Sequence, residues 1–359
     1  RYDANGNKLW DQSYLPDGLD FCWGDDFEKT ADGGYLGCCL GGVGGNAGYY
    51  GIVKFDAQGQ QLWTRKIGCQ SGSNGYASPT RIIETADGGF IVAGVSNLEP
   101  CADKTSPYFG GYNPDNFSLG ADFWLVRCDA QQNKLWDKSY GGTNADLALD
   151  IHPLADGGFM VFGASESRPE TDPTQGTKTS LRHGGLDYWI VRIDAQSNQL
   201  WDRSYGGGFD DVCTCSEPMP DGGWLLSGTS MSLPSGNKTS PRFGSSDFWI
   251  VRIDEEGNKL WEQSFGGSGI EGKPWRASPV PRFSRERIKR IADGGFLLTG
   301  YSESPVSGLK TAPLISNGDF WVLKLGPEPP SLRGEMTAEG NFQLRLIGPP
   351  EFQHTIQGS

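Results

Sequence analysis

Apolar and aromatic residues along this chain fall into short runs that return at long intervals. The clearest is Asp187 to Trp201, DYWIVRIDAQSNQLW, with an aromatic and β-branched run from Tyr188 to Ile193, a tight polar turn, and a second run entering at Trp201. Such residues favour strands, and a polar break between two such runs favours a hairpin. The pattern returns at Gly51 to Trp63, Asp122 to Trp136 and Asp247 to Trp261, and once in split form. In the split copy the second half, ending at Trp10, opens the chain, while the first half, Asp319 to Leu325, lies near its far end.

A second mark, Asp-Gly-Gly before an apolar run, recurs at Asp32, Asp87, Asp156, Asp221 and Asp293, at intervals of 55, 69, 65 and 72 residues. Around one such mark four strands can be counted: A (Leu147 to Leu154), B (Phe159 to Ser165), C (Tyr188 to Ile193) and D (Trp201 to Tyr205). Four antiparallel strands per repeat make the blade of a β-propeller. The count predicts four complete blades, at about 20–67, 77–140, 145–205 and 210–265, and a fifth at 283–325 that lacks strand D. The N-terminal strand, 6–14, has the sequence of that missing D strand. The expected fold is therefore all-β, a five-bladed β-propeller of four-stranded antiparallel blades whose ring is closed by the N-terminal strand. Closure removes the two open sheet edges of a linear array. An open fragment of a larger propeller is the competing reading.

The turns match this scheme. Asp-Gly-Gly tolerates φ > 0 at the A–B hairpin, and the C–D turn carries Gly6, Gly59, Ser197 or Gly257 before Asn or Gln. The oxygen-rich turn DANGN at Asp3 also looks like a calcium loop, but it lacks the terminal bidentate Glu of such loops, which favours a plain hairpin turn. No cofactor is expected, calcium at this turn being the alternative.

Composition narrows the picture. The 53 glycines and 12 tryptophans suit many short strands, tight turns and one large aromatic per strand. A net charge of −13 disfavours nucleic acid as a partner. No run of eighteen apolar residues is present, so no helical membrane span is expected. The eight cysteines do not follow the repeat. Cys213 and Cys215 form C-x-C and Cys38 and Cys39 are vicinal, neither being the usual zinc spacing. Buried free thiols are the favoured reading, with one or two disulfides as the alternative.

The unit "strand, Asp-Ala-x-Gly-Asn-Lys-Leu-Trp, strand, Tyr-Gly-Gly" resembles the repeats of pyrroloquinoline-quinone-type propellers, and the B-to-C layout is similar to kelch repeats. It looks most like a repeat of large secreted or surface-attached bacterial proteins, in which T-x-DGG, GNKTSP, DFWVVRLD and GNKLW recur. Here these are Thr30 with its DGG, Gly236 to Pro241, Asp247 to Asp254, and Gly257 to Trp261. The match spans nearly all of 1–325. It departs from kelch in placing the glycine pair before strand B, and no quinone-binding residue set carries over. The resemblance implies an extracellular or cell-surface location in bacteria. It implies no particular activity, because propellers host many. Beyond Leu325 a Pro-rich linker leads, over 326–359, into alternating apolar positions at Phe342, Leu344 and Leu346. This stretch resembles the start of a truncated C-terminal β-domain, an extra hairpin being the alternative.

Strand connectivity sorts the loops by face. The A–B and C–D turns are short, while every long segment is a B–C loop or a D–A link, and binding residues concentrate on such loops. Four B–C loops share a Lys-Thr motif at Lys104, Lys178, Lys238 and Lys310. A motif in register suits either hydrogen bonding within its own loop or a ring of shallow ligand sites. Strand A should be innermost. Aligned on DGG, one of its positions holds Asp26, Arg81, Asp150, Cys215 and Arg287, and two residues on stand Glu28, Ile83, His152, Glu217 and Lys289. Such a ring can neutralise itself. It is also similar to five-bladed glycoside hydrolases, with Asp26, Asp150 and Glu217 as catalytic candidates if two carboxyls lie ~5–10 Å apart. The 266–290 link gathers Trp275, Arg276, Arg282 and Arg285 next to Arg287. None of the three histidines sits in a hydrolase motif.

The expected function is non-catalytic: a binding or scaffold module recognising a glycan or protein through the long-loop face. Arg81, Arg287, His152, Trp275, Arg276, Arg282, Arg285 and the four motif lysines are the candidate contacts. The alternatives are a glycoside hydrolase or lyase with carboxylates in a central funnel, and a structural subunit of a surface assembly. The chain would act as a monomer or as part of a larger multidomain protein.

Overall fold

The computed structural model describes residues 2–44, 46–69, 75–113, 118–272, 286–326, 331–336 and 342–347. Among these, every regular element is a β-strand. The first sheet takes β1 (Phe21–Lys29), β2 (Tyr35–Val43), β3 (Asn46–Phe55) and β4 (Gln61–Gly68) in chain order. The second joins β5 (Ala77–Glu84) and β6 (Phe90–Ser96) to β9 (Asp122–Cys128) and β10 (Lys134–Tyr140), with a short hairpin, β7 (Tyr112–Asn113) and β8 (Ser118–Leu119), inside the B–C loop. The third holds β11 (Asp146–Pro153), β12 (Phe159–Ser165), β13 (Asp187–Ile193) and β14 (Gln199–Tyr205). The fourth holds β15 (Asp211–Pro218), β16 (Trp224–Ser230), β17 (Asp247–Ile253) and β18 (Lys259–Phe265). The fifth has three strands, β19 (Arg287–Arg290), β20 (Phe296–Ser302) and β21 (Asp319–Leu325), and a hairpin of β22 (Ser331–Met336) and β23 (Phe342–Ile347) follows. The chain divides into two compact units, 1–213 with 235–238 and 214–234 with 239–359.

The repeated turn residues have definite duties. The first glycine of each Asp-Gly-Gly is left-handed (φ between +78° at Gly88 and +88° at Gly222). The second lies against the carbonyl that ends strand C, where a Cβ on Gly34 would strike Phe55 O and one on Gly158 would strike Ile193 O. The aspartate pairs with the basic residue of strand C: Asp32 with Lys54, Asp87 with Arg127, Asp156 with Arg192, Asp221 with Arg252, and Asp293 with Lys324. At the C–D turn Gly59 (+83°), Gln132 (+69°), Ser197 (+67°) and Gly257 (+80°) are left-handed. In the DANGN turn and its relatives the aspartate accepts N–H donors from its own loop, as Asp3 does from Asn5 N, Asn7 N and Asn7 Nδ2. That is the bonding of a hairpin turn.

Within the first unit the core lies between consecutive sheets. Tyr50, Ile52, Ile82, Val92 and Trp124 form one buried cluster, and Phe123, Leu125, Ile151, Val161 and Trp189 another. The second unit repeats this with Phe248, Ile250, Ile288, Leu298 and Trp321. The strand-C aromatic of one sheet presses on a strand-B glycine of the next. A Cβ on Gly94 would lie 2.7 Å from Tyr50 Oη, and one on Gly300 would lie 2.7 Å from Phe248 Cζ.

Two expectations change here. Among the described residues, 6–14 form no strand and the fifth sheet has three strands. The segment is anchored on the first sheet instead: Trp10 packs edge-on against Tyr35 (6.2 Å) and over Gly59, while Tyr14 stacks on Phe55 (4.2 Å) and donates to Gly59 O. The cysteines divide evenly. Cys22–Cys39 and Cys69–Cys101 are disulfides, and Cys38, Cys128, Cys213 and Cys215 are buried thiols. Cys22 and Cys39 meet because β1 and β2 pair there, a register that residue spacing alone does not reveal.

Candidate binding face and inner charge row

In each of the first three sheets the pairing of strand A with strand B slips at one place, between Gly24 and Asp26, Pro79 and Arg81, and Ala148 and Asp150. A bulge turns the residue after it, and each of these three residues enters the same cluster. Arg81 reaches Asp26 at 2.9 Å, Asp150 at 3.3 Å and Glu28 at 3.6 Å, and His152 Nε2 lies 3.3 Å from Asp150 Oδ2. Asp26 also accepts from Ile82 N. Burial opposes the Arg81 charge, but Asp150, Asp26 and Glu28 more than offset it, so the guanidinium is held charged. Burial raises the pKa of Glu28, against the pull of Arg81.

Acid–base hydrolysis of a glycoside needs one free protonated carboxyl and one free carboxylate. Asp26 and Asp150 share a single guanidinium, so neither stands as the free carboxylate that reaction uses. In the second unit Glu217 holds Lys289 Nζ at 3.0 Å from both its oxygens. Arg287 is exposed and donates to Glu286 O at 3.4 Å. Trp275, Arg276, Arg282 and Arg285 lie outside the described residues.

The Lys-Thr loops have a different architecture from a ring of exposed amines. Lys104, Lys178, Lys238 and Lys310 are buried. Lys104 Nζ donates to Ser106 O, Pro107 O and Ser139 Oγ (2.8, 2.9 and 3.1 Å). Lys178 donates to Ser180 Oγ and Ser204 Oγ, and Lys310 to Ser304 O and Ala312 O. Burial pushes the Lys104 and Lys178 amines down to about 8, against the pull of neighbouring aspartates. Lys104 and Lys178 thereby tie the B–C loop to strand D of its own sheet, and Lys310 ties its loop to itself.

The other half of each clamp is a strand-D carboxylate that sequence reasoning passed over. Asp137 accepts from Thr105 N, Thr105 Oγ1, Ser106 N, Lys134 Nζ and Trp124 Nε1. Asp202 repeats this with Thr179, Ser180, Gln199 and Trp189. Glu262 does so with Thr239, Ser240 and Lys259. A signal was present: an acid follows strand-D Trp wherever the loop has Lys-Thr, and the first sheet, lacking Lys-Thr, has Thr64 there. The clamped loops and the D–A links carry exposed apolar side chains. Leu181 (69%) and Phe209 stand on the first unit, and Leu233, Val306, Leu309 and Ile315 (88%) on the second.

Comparison with known proteins leaves the chain without an assigned family. No protein-family model matches it, and no curated protein does. Among solved structures, a point mutant of the Synechocystis apocarotenoid oxygenase aligns over 90% of this chain and 64% of its own, at 12% identity and a TM-score of 0.36. A chimera of that oxygenase with RPE65 aligns over 82% of this chain and 58% of its own, at 14% identity and a TM-score of 0.33. The chain spans less than two thirds of either protein, and at these TM-scores neither alignment bears on what it does.

Proposed function

We propose that this chain is a five-bladed β-propeller whose last blade is completed by residues 6–14, and that it serves as a non-catalytic, extracellular or cell-surface binding module for a partner protein. Support for closure comes from the first unit. Tyr140, at the end of strand D, donates to Ser197 O in the C–D turn of the following sheet, and Trp136 packs on Phe159 at the start of its strand B. Tyr14 and Trp10 make the same two contacts with Gly59 and Tyr35, the counterparts of Ser197 and Phe159. Residues 10–14 thus stand against the first sheet as the strand D of a preceding blade would. Phe320 is 73% exposed on β21, while its counterparts Phe123, Tyr188 and Phe248 are buried, which fits an apolar face awaiting its neighbour.

The observation that carries the binding reading is the clamped loop. Buried lysine and strand-D acid fix the Lys-Thr segments of the second, third and fourth sheets, so partner recognition there costs little ordering entropy. The side chains left outside are mainly aliphatic, which suits a protein surface better than a sugar ring, since sugars stack on exposed aromatics. The hydrolase reading finds less support, because Arg81 bridges the two nearest carboxylates.

The test compares the chain with Leu181→Asp, Leu233→Asp and Ile315→Asp, and with an inner-row control, Glu28→Gln. Each is offered to fractionated extracellular proteins and to a glycan array. A protein bound by the parent and the control, and lost in the loop variants, is the expected result. Glycan binding that ignores the loop changes, or binding abolished only by Glu28→Gln, would contradict it.

A further inference from the structure

Gly141, the first glycine of Tyr-Gly-Gly, sits between two carboxylates. A Cβ there would lie 2.6 Å from Asp122 Oδ1 and 2.6 Å from Asp146 Oδ2. Asp122 opens strand C of the second sheet and Asp146 opens strand A of the third, and both are fully buried. The arrangement recurs. Gly206 is wedged between Asp187 and Asp211, and Gly266 between Asp247 and Glu271, again across the start of one strand C and the residues leading to the next sheet. All these carboxyls are buried, at 1% exposure or less. Each pair lies within one compact unit, so the inference does not depend on ring closure.

The surroundings do not supply enough positive charge for both members. Asp122 accepts from Phe109 N and is faced by Lys104, Tyr108 and Asp146. Asp146 accepts from Gly142 N and Ser167 Oγ and is faced by Asp122 and Lys178. Asp187 accepts from His183 N and is faced by Asp211, Lys178 and Arg182. Lys178 is thus shared among Asp146, Asp187 and the clamp acid Asp202. Oδ1 of Asp122, of Asp146 and of Asp187 has no hydrogen-bond partner. Two carboxylates that flank one Cβ position in a dry site repel each other, and a proton on one of them removes the repulsion and turns a bare oxygen into a donor.

We infer that the Asp122–Asp146 and Asp187–Asp211 pairs are proton-sharing clasps, one carboxyl staying protonated at neutral pH and donating to the other across the seam between consecutive sheets. The seam that lacks such a pair has a covalent link instead. Tyr49 and Ala77 stand where Asp122 and Asp146 would, and Cys69, directly after Gly68 (the counterpart of Gly141), is bonded to Cys101 in the B–C loop of the second sheet. Burial raises Asp122 well above the carboxylate range and brings Asp146 and Asp187 up to about 7. These groups bind protons more tightly folded than unfolded. Their contribution is therefore complete below about pH 4 and is lost as pH rises through 7. The clasps tighten on mild acidification and loosen on the alkaline side.

Infrared spectroscopy of the parent chain reads this directly. The carbonyl stretch of a protonated carboxylic acid is expected to persist at neutral pD and to weaken in Asp122→Asn and again in Asp122→Asn with Asp187→Asn. Melting curves from pH 5 to 8, with and without a chelator, supply the second readout. The parent is expected to lose on the order of 5 °C in Tm across that range, with the asparagine variants flatter and the chelator without effect. Absence of the protonated-acid band at neutral pD in the parent would overturn the inference, whatever the variants do. So would a chelator that lowers Tm and calcium that restores it, which would place a cation between the carboxylates.

Discussion

Thr105 donates both its backbone N–H (2.9 Å) and its hydroxyl (2.6 Å) to Asp137, 32 residues along the chain. One residue from a B–C loop is thereby fastened to strand D of the same sheet, and the indole of Trp124 donates to the same carboxylate from strand C at 3.2 Å. The loop is thus fastened to strands C and D of its own sheet.

Replacing Asp137 by Asn should lower stability by about 2 kcal/mol, since charge-assisted hydrogen bonds are lost and one amide is left facing donors. Asp137 has a folded pKa well below its usual value, where hydrogen bonds from Lys134, Thr105 and Ser106 outweigh burial. Its stabilisation is present above about pH 4 and lost as pH falls below that. Urea unfolding at pH 7 and pH 3 checks both points: the variant should be weaker at pH 7 and closer to the parent at pH 3.

Lys178 gives a pH signature of the same sign in an alkaline window. Its folded pKa is depressed to about 8 from 10.5, mainly by burial. The unfolded chain holds that proton more tightly between those values, so the Lys178 contribution to stability grows as pH rises from 8 towards 10. Melting curves over that range should show the rise in the parent and its reduction in Lys178→Met. An unchanged profile in the variant would contradict the assignment.

At the inner row, Arg81→Met should cost about 3 kcal/mol at pH 7, because it strands Asp26 and Asp150 without their cation. Glu28, whose pKa burial raises against the pull of Arg81, would bind its proton more tightly without that cation, so the deficit should shrink on acidification. Calorimetry at pH 7 and 4.5 measures this, and an equal deficit at both would contradict the charge-row account.

Much of this was legible from periodicity. Strand A of the third sheet was expected at Leu147 to Leu154 and occupies Asp146–Pro153, and strand B falls on Phe159–Ser165 as expected. Period-two patterning and left-handed glycines report local conformation, so strands and turns were readable. Orientation was not. For Lys104 and Lys178 the sequence offered both hydrogen bonding within the loop and ligand contact, and only the facing acid on strand D explains their inward turn. The pairs flanking Gly141 and Gly206 were hidden for the same reason: Asp122 and Asp146 look like strand-edge polar residues until two sheets meet. The split repeat was visible, but the attachment of Trp10 and Tyr14 to the first sheet, without a fourth strand on the fifth, was not.

Ring closure is the central claim of the proposed fold, and a single cross-link tests it. In the third sheet Ile190 pairs with Arg203, and the repeat places Val322 and Gln12 at the corresponding positions. The double variant Val322→Cys with Gln12→Cys, mildly oxidised and digested without reduction, would be analysed by mass spectrometry alongside its migration on a sizing column. Closure predicts a 12–322 disulfide in monomeric protein and a raised Tm. No such bond, or one found only in covalent dimers, would mean that residues 6–14 do not complete the last blade.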